Sequence, residues 1–85
     1  ITPLEAKLAE NADDHATRLE LSKAYAAQGR FREALEAALE VVRRDRFFDQ
    51  GAGRAAILSL FEALNGEQYD DLVREFRRKL SATLN

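Results

Sequence analysis

The chain of 85 residues contains no cysteine, and this absence excludes a disulfide bond, a thiol nucleophile and a zinc site with thiolate ligands. It contains one histidine, His15, whose neighbours Asp13 and Asp14 precede an apolar periodic stretch as helix-capping residues do. A metal site needs more converging ligands than these three residues supply. The sequence therefore predicts no metal site.

Long apolar runs are absent as well. The longest uncharged apolar stretch lies near 57–61 and is far too short to cross a bilayer, and no charged and then apolar leader is present. The net charge of −2 gives no global basic field that would attract nucleic acid or an anionic membrane. We expect a cytoplasmic protein that binds neither. Because the chain begins at Ile1 rather than methionine, we also expect an excised domain of a longer protein.

Arrangements of side chains typical of catalysis are also missing. Ser22, Ser59 and Ser81 are scattered, and no histidine follows any of them. Paired carboxylates serve acid–base chemistry when burial raises one pKa, but the acidic clusters here fall on predicted exposed helix faces. Their expected cationic partners lie four residues along the same helix, in the pairs Glu40–Arg44, Asp70–Arg74 and Glu75–Lys79. The sequence therefore predicts no catalytic residue and no cofactor.

The chain does show a strong helical pattern. Its composition, 46% hydrophobic and 33% charged, is typical of a globular helical protein. Apolar residues at three- and four-residue spacing predict five helices, over about 2–11, 15–28, 31–44, 49–64 and 68–84. Gly51 and Gly53 are expected to weaken the start of the fourth helix. The predicted caps are Thr2 with Glu5, Asp13 or Asp14, Gly29, Asp49, and Asn65 with Gly66.

The central stretch, 15–46, reads as two amphipathic helices joined by a tight turn. It resembles a tetratricopeptide repeat, in which antiparallel helix pairs recur at about 34 residues. The residues at the family's leucine, aromatic, turn-glycine and small packing positions are Leu21, Tyr25, Gly29, Ala34 and Val41. Departures from the family pattern are Arg18, Ser22, Ala38 and Arg46, which replace tryptophan, glycine, an aromatic residue and proline. A generic helical hairpin is the alternative interpretation.

This resemblance implies an all-α fold, a short right-handed solenoid of about five antiparallel helices in a single domain over 1–85. Within it, 1–12 would be the trailing helix of a preceding repeat, 13–46 the central repeat and 47–85 a C-terminal helix pair. The small side chain of Ala34 is expected to let the second helix of the central pair lie directly against the first.

A second resemblance covers nearly the whole chain. Three segments are similar to the C-terminal repeat region of bacterial thioredoxin-like proteins: Val41 to Asp45, Arg54 before 57–61, and Arg77 to Leu80. That family includes co-chaperones that hold unfolding proteins, so the resemblance implies a non-catalytic protein-interaction module. Its partners would be client proteins, chaperones or an N-terminal thioredoxin-like domain. Any Cys-x-x-Cys chemistry would belong to that other domain.

The inner face of the central helix pair is the predicted partner surface, with the residues Ala16, Leu19, Lys23, Ala26 and Ala27. Repeats of this type usually receive an extended peptide or a helix there. Some clamp a chain-terminal carboxylate with lysine and asparagine, but only Lys23 is available, so we expect an apolar, adaptable groove. Of the adjacent Phe47 and Phe48, one is expected to close the core. The other, taken as Phe48, is expected to contact a neighbouring domain.

Other interpretations stay open. The inner face could instead pack on the first helix or on a missing repeat. The chain could be a free-standing repeat adaptor, or a self-assembly scaffold whose uncovered apolar edge makes a homo-oligomer. An RNA-contacting helical domain is a further alternative, because cations group in the sequence. The two groups are Arg43, Arg44, Arg46 and Arg54, and Arg74, Arg77, Arg78 and Lys79.

Overall fold

The computed structural model describes residues 1–85 and contains five α-helices and no strand. The helices are α1 (Thr2–Glu10), α2 (His15–Ala27), α3 (Phe31–Arg44), α4 (Ala52–Ala63) and α5 (Asp70–Leu84). Short 3-10 turns, Phe48–Gln50 and Glu67–Tyr69, precede α4 and α5. The prediction of an all-α fold is confirmed.

The ends of α2 form as predicted. The Asp14 carboxylate accepts hydrogen bonds from the Thr17 hydroxyl at 2.7 Å and the Thr17 backbone N–H at 3.2 Å, and both lower the pKa of Asp14. Gly29 follows α2 in the left-handed conformation, with φ of 76°.

The predicted capping box of Thr2 with Glu5 is wrong. Helix α1 begins at Thr2 with no side-chain cap, because Glu5 accepts a hydrogen bond from Tyr25 instead.

The start of α4 also differs from the prediction. Asp49 does not cap α4, because Asp49, Gln50 and Gly51 all adopt the left-handed conformation, with φ of 47°, 57° and 83°. The backbone turns through these three residues before α4 begins at Ala52. Such a conformation costs a non-glycine residue roughly 1–2 kcal/mol, so local preference alone does not produce this turn.

Two of the three predicted i,i+4 ion pairs form. Arg44 bonds Glu40 at 2.6 Å, and Lys79 bonds Glu75 at 3.0 Å. The third prediction, Asp70 with Arg74, is wrong. Helix α5 begins only at Asp70, two residues later than predicted, and Arg74 lies 3.5 Å from Asp71.

Helix α3 is the centre of the molecule and contacts α2, α4 and α5. Its buried residues are Ala34, Leu35, Ala37, Ala38, Leu39, Val41 and Val42. On one side, a core cluster contains Leu35, Ala38, Leu39 and Val42 of α3 together with Ile57, Phe61, Leu64, Phe76 and Leu80 of the C-terminal part. On the other side, Ala34 joins Leu21 and Tyr25 of α2 in a smaller cluster, on which Ile1, Leu4 and Leu8 pack. The core is therefore organised around one helix.

Two small residues set the distances between α3 and its neighbours. Ala34 is fully buried, and its carbonyl accepts a 2.7 Å hydrogen bond from the buried Ser22 hydroxyl of α2. Gly53 of α4 lies so close to α3 that a Cβ atom there would stand 2.9 Å from a Val41 methyl carbon. The expectation that Gly53 merely weakens α4 is therefore incomplete, because its missing side chain permits this contact.

The molecule measures 37 × 30 × 17 Å. Its thinnest dimension accommodates two helices packed about 8–10 Å apart, and so two layers of helices. None of the five helices combines the length and the apolar character that crossing a bilayer requires.

Candidate protein-interaction surface

One face of α2 is left largely uncovered by the rest of the chain. Ala16, Lys23 and Ala27 are exposed, and Leu19 between them is half-buried. Their spacing of three and four residues places them along one side of the helix. We call these four residues the α2 face. Ala26, the fifth predicted residue, is half-buried against the Leu21 cluster and so borders this face.

Helix α4 lies beside α2 and extends this surface. Leu60 packs against the small cluster of α2, and Ser59 and Ala63 flank Leu60 on the exposed side of α4. Small side chains therefore predominate at this surface, and the half-buried Leu19 and Leu60 are its largest apolar groups. Such a surface leaves room for the side chains of a partner.

The two adjacent phenylalanines have different environments. The Phe48 ring contacts the His15 ring edge-on at a centroid distance of 5.1 Å, which half-buries Phe48 at the start of α2. Phe47 is 76% exposed and is the large apolar residue most open to solvent. The sequence predicted that one ring closes the core, which is wrong, because neither ring belongs to a core cluster. It also selected Phe48 as the residue that contacts a neighbouring domain. The connector geometry makes Phe47 the more accessible of the two.

The acidic residues of α3 lie beside a groove of about 510 Å³ between α2 and α3, and two of them form ion pairs there. Glu33 bonds Arg30 at 2.6 Å, and Glu40 bonds both Arg43 and Arg44. Burial raises the pKa of Glu40, but the hydrogen bonds from Arg44 and Arg43 outweigh burial and hold this pKa below its ordinary value. A carboxylate held ionised in this way is a poor proton donor near neutral pH.

The acidic residues near His15 are engaged in other contacts. Asp13 bonds Arg44 at 2.9 Å, and Asp14 caps α2. No three His, Asp or Glu side chains lie close enough together to hold a metal ion. Asp13 and Asp14 therefore serve an ion pair and a helix cap.

A sequence profile of the tetratricopeptide repeat family matches residues 1–85. The chain belongs to this family. No curated protein matches the sequence significantly. The family assignment agrees with the antiparallel α2–α3 pair, in which Leu21, Tyr25, Ala34 and Val41 are buried.

Tetratricopeptide repeats are non-catalytic modules that mediate protein–protein interactions. Within this tetratricopeptide repeat fold, three of the four departures from the family pattern have structural roles at or beside the α2–α3 pair. Ser22 bonds the Ala34 carbonyl, and the Arg18 guanidinium donates a 2.6 Å hydrogen bond to the Ala12 carbonyl in the α1–α2 turn. Ala38 is fully buried under α4 and α5 in the main cluster. These replacements are therefore compatible with the helix pair.

Proposed function

We propose that this domain binds a segment of another protein on the α2 face, with Ala26 at its border and Phe48 at its end. The observation that carries this proposal is the uncovered row of small and apolar residues on α2, in a family whose repeats bind proteins. A segment seated there would cover Leu19 and the exposed alanines. Main-chain contacts and adaptable apolar packing would supply the affinity.

The chemistry of the α2 face favours an apolar, weakly selective partner. Lys23 is its single cation, and no asparagine accompanies Lys23, so the groups of a carboxylate clamp are incomplete. Partly unfolded client proteins expose apolar segments of varied sequence. A surface of small side chains can contact many such segments, because it has no deep pocket that selects one side chain. Unfolded clients are therefore the partner class that fits best.

We further propose that the domain is the C-terminal repeat region of a bacterial, cytoplasmic thioredoxin-like co-chaperone. Support comes from the three similar segments, Val41 to Asp45, Arg54 before 57–61, and Arg77 to Leu80. Because this chain has no cysteine, thiol chemistry in the parent protein would lie in another domain. The test is the parent sequence upstream of Ile1. A βαβ pattern with Cys-x-x-Cys, or a degenerate form of it, would support this assignment, and an unrelated upstream sequence would exclude it.

The binding proposal is tested by suppression of aggregation of a chemically denatured test protein. We expect the wild-type domain to suppress aggregation, and Ala16→Arg and Ala27→Arg to reduce suppression, because a long charged side chain would cover the α2 face. Ala9→Arg, an exposed change of the same kind on α1, is the matched control. Equal suppression by all variants, or none by the wild type, would contradict the proposal.

A further inference from the structure

Besides the groove between α2 and α3, an open groove lies between α4 and α5, on the side of α4 that faces away from α2. It consists of two cavities of about 360 and 270 Å³ that share Phe61 and Arg77, and we call it the α4–α5 groove. Helix α5 makes its main backbone contact with α3 rather than with α4. The two last helices therefore leave space between them that no part of the chain fills.

The walls of the α4–α5 groove are rows of side chains at helical spacing. Arg54, Leu58 and Phe61 lie along α4, and Val73, Arg77 and Leu84 lie along α5. The row on α5 runs from Asp70 to Leu84, which is about 21 Å at 1.5 Å per residue. The row on α4 runs from Arg54 to Leu64 and is about 15 Å long. Over this shared length, the mainly apolar walls match a helix of about three turns.

The charges at the α4–α5 groove are mainly positive, although the chain is acidic overall. Arg54 and Arg77 form no ion pair, and Arg74 has only the fully exposed Asp71 at 3.5 Å. The Arg77 guanidinium lies 5.0 Å above the Phe61 ring, at the junction of the two cavities. Asp70 is the one carboxylate that lines either cavity. This rim therefore favours a partner with carboxylates.

The exposed Phe47 belongs to the same region. The Arg46 guanidinium donates a 3.0 Å hydrogen bond to the Leu84 carbonyl and also lies 5.1 Å from the Phe47 ring centroid. This shared contact places Phe47 near the Leu84 end of the α4–α5 groove. A 76% exposed aromatic ring at one end of an apolar groove would add contact area for a bound helix.

We propose that the α4–α5 groove binds an amphipathic helix of another protein, with carboxylates along both edges of the helix's apolar stripe. A second copy of this chain offers no better match, because the apolar residues of its α1 and α3 are packed in the two core clusters and its open α2 face carries the cation Lys23. The site is separate from the α2 face, so each proposal can fail without the other.

The test uses a synthetic peptide of about 15 residues with leucines at three- and four-residue spacing and glutamates on both flanks. Its matched counterparts carry lysine in place of glutamate, or the same residues in scrambled order. Fluorescence anisotropy measures affinity, and backbone amide NMR shifts locate the site. We expect saturable binding of the glutamate peptide, with shifts at Leu58, Val73 and Phe47, and affinity for both counterparts at least about tenfold weaker.

Single charge reversals then separate the groove from general electrostatic attraction. Arg54→Glu and Arg77→Glu are expected to weaken binding by about tenfold each, whereas Arg78→Glu, outside the groove on the same helix, leaves it unchanged. Arg54→Glu keeps the test valid if loss of the Arg77 contact to Phe61 disturbs the fold.

Four outcomes of the peptide experiments would overturn the proposal. These are absence of binding, equal affinity for the lysine peptide, shifts confined to α2, and equal weakening by Arg78→Glu. Dimerisation in sedimentation that Arg77→Glu abolishes would assign the groove to a second copy of the chain and would also overturn it.

Discussion

At Gly53, the absence of a side chain determines how closely α4 approaches α3. A Cβ atom there would stand 2.9 Å from the Val41 Cγ1 atom and 3.1 Å from a Val42 methyl carbon, closer than van der Waals contact. Helix propensity alone favours alanine over glycine by up to about 1 kcal/mol. At this position the contact with the two valines opposes that preference.

We predict that Gly53→Ala lowers the free energy of unfolding by roughly 1–2 kcal/mol, because overpacking outweighs the gain in helix propensity. Chemical denaturation measures the change. In the double variant Gly53→Ala with Val41→Ala, the loss is expected to be smaller than the sum of the single losses, because the nearest methyl carbon is gone. Stabilisation by Gly53→Ala alone would show that α4 lies farther from α3 in solution than the 2.9 Å contact requires.

Ala34 has the same role between α2 and α3. It is fully buried, and its carbonyl accepts a hydrogen bond from Ser22. We predict that Ala34→Leu destabilises the protein by roughly 1–3 kcal/mol through overpacking. Ala55→Leu, an exposed change of the same kind on α4, is the control and should have little effect. A thermal melt in which both variants match the wild type would contradict the close α2–α3 contact.

At the scale of elements, one hydrogen bond connects α1 to α2. The Tyr25 hydroxyl donates to the Glu5 carboxylate at 2.6 Å. This hydrogen bond, followed by burial and the negative charge of Glu5, raises the pKa of Tyr25 from 10.0 to about 12. Because the folded-state pKa is the higher one, the stabilisation is complete below pH 10.0 and is lost as the pH rises towards about 12.

We predict that an ultraviolet absorbance titration in a Tyr69→Phe background, where Tyr25 is the remaining tyrosine, has its midpoint at about pH 12. Glu5→Ala should move the midpoint down towards 10.0, because the largest cause of the raised pKa is removed. Glu10→Ala on the same helix is the control and should leave the midpoint unchanged. Circular dichroism shows the pH range in which the fold persists, and a midpoint near 10.0 in the folded Tyr69→Phe variant would disprove the contact.

A second contact between elements links α3 to α5. Arg32 donates two hydrogen bonds to Glu75, at 2.8 and 2.9 Å, and Lys79 bonds the same carboxylate at 3.0 Å. The hydrogen bonds from Arg32 and then Lys79 lower the pKa of Glu75 from 4.5 to about 2. Because the folded-state pKa is the lower one, the stabilisation is present above pH 4.5 and is lost as the pH falls towards about 2.

We predict that NMR titration of the Glu75 side-chain carboxyl gives a midpoint of about 2, and that Arg32→Gln raises this midpoint towards 4.5. The reason is that the hydrogen bonds from Arg32 are the largest favourable interaction of the ionised carboxylate. Arg78→Gln removes a cation of α5 that has no ion pair in the structure, and it should leave the midpoint unchanged. If both variants titrate like the wild type, the α3–α5 ion pair does not form in solution.

At the scale of the whole molecule, stability is distributed unevenly around α3. Helix α3 has seven buried residues, whereas α1 has none and is held by half-buried residues and the Tyr25 hydrogen bond. Local opening is easiest where few apolar contacts are lost. The N-terminal helix should therefore separate from the molecule before the centre unfolds.

We predict that amide hydrogen exchange in α1 is faster than in the middle of α3 by at least about 100-fold after correction for intrinsic rates. Tyr25→Phe should accelerate exchange in α1 selectively, because the hydrogen bond to Glu5 is lost. Equal protection of α1 and α3 would mean that the chain opens as a single unit.

Most of the helical architecture was predictable, because it depends on neighbours in the sequence. The predicted range of α3 matches the structure, and Asp14 and Gly29 act at the ends of α2 as their residue types suggest. The errors at Thr2 and Asp49 share one cause. Each residue type is suited to capping, but contacts outside the local sequence prevent the cap. At the start of α1, Glu5 bonds the distant Tyr25, and before α4 the backbone turns through Asp49 in the left-handed conformation.

The candidate surfaces divide in the same way. Helical periodicity was enough to group Ala16, Leu19, Lys23 and Ala27 on one side of α2. It could not decide that Ala26 would border the core, or that Phe47 rather than Phe48 would be exposed, because adjacent residues of a connector have no periodicity. The α4–α5 groove was not predictable either, since it exists only because α5 packs on α3.

The sequence by itself determined the number of helices, their approximate ends and the tetratricopeptide character of the α2–α3 pair. These features follow from backbone hydrogen bonding, turn residues and apolar spacing within about ten to fifteen residues. Only the tertiary structure decided which faces remain open, why Gly53 must lack a side chain, and where unpaired arginines border an apolar groove. Those properties depend on distances between residues far apart in the chain, and packing fixes these distances only when all five helices are in place.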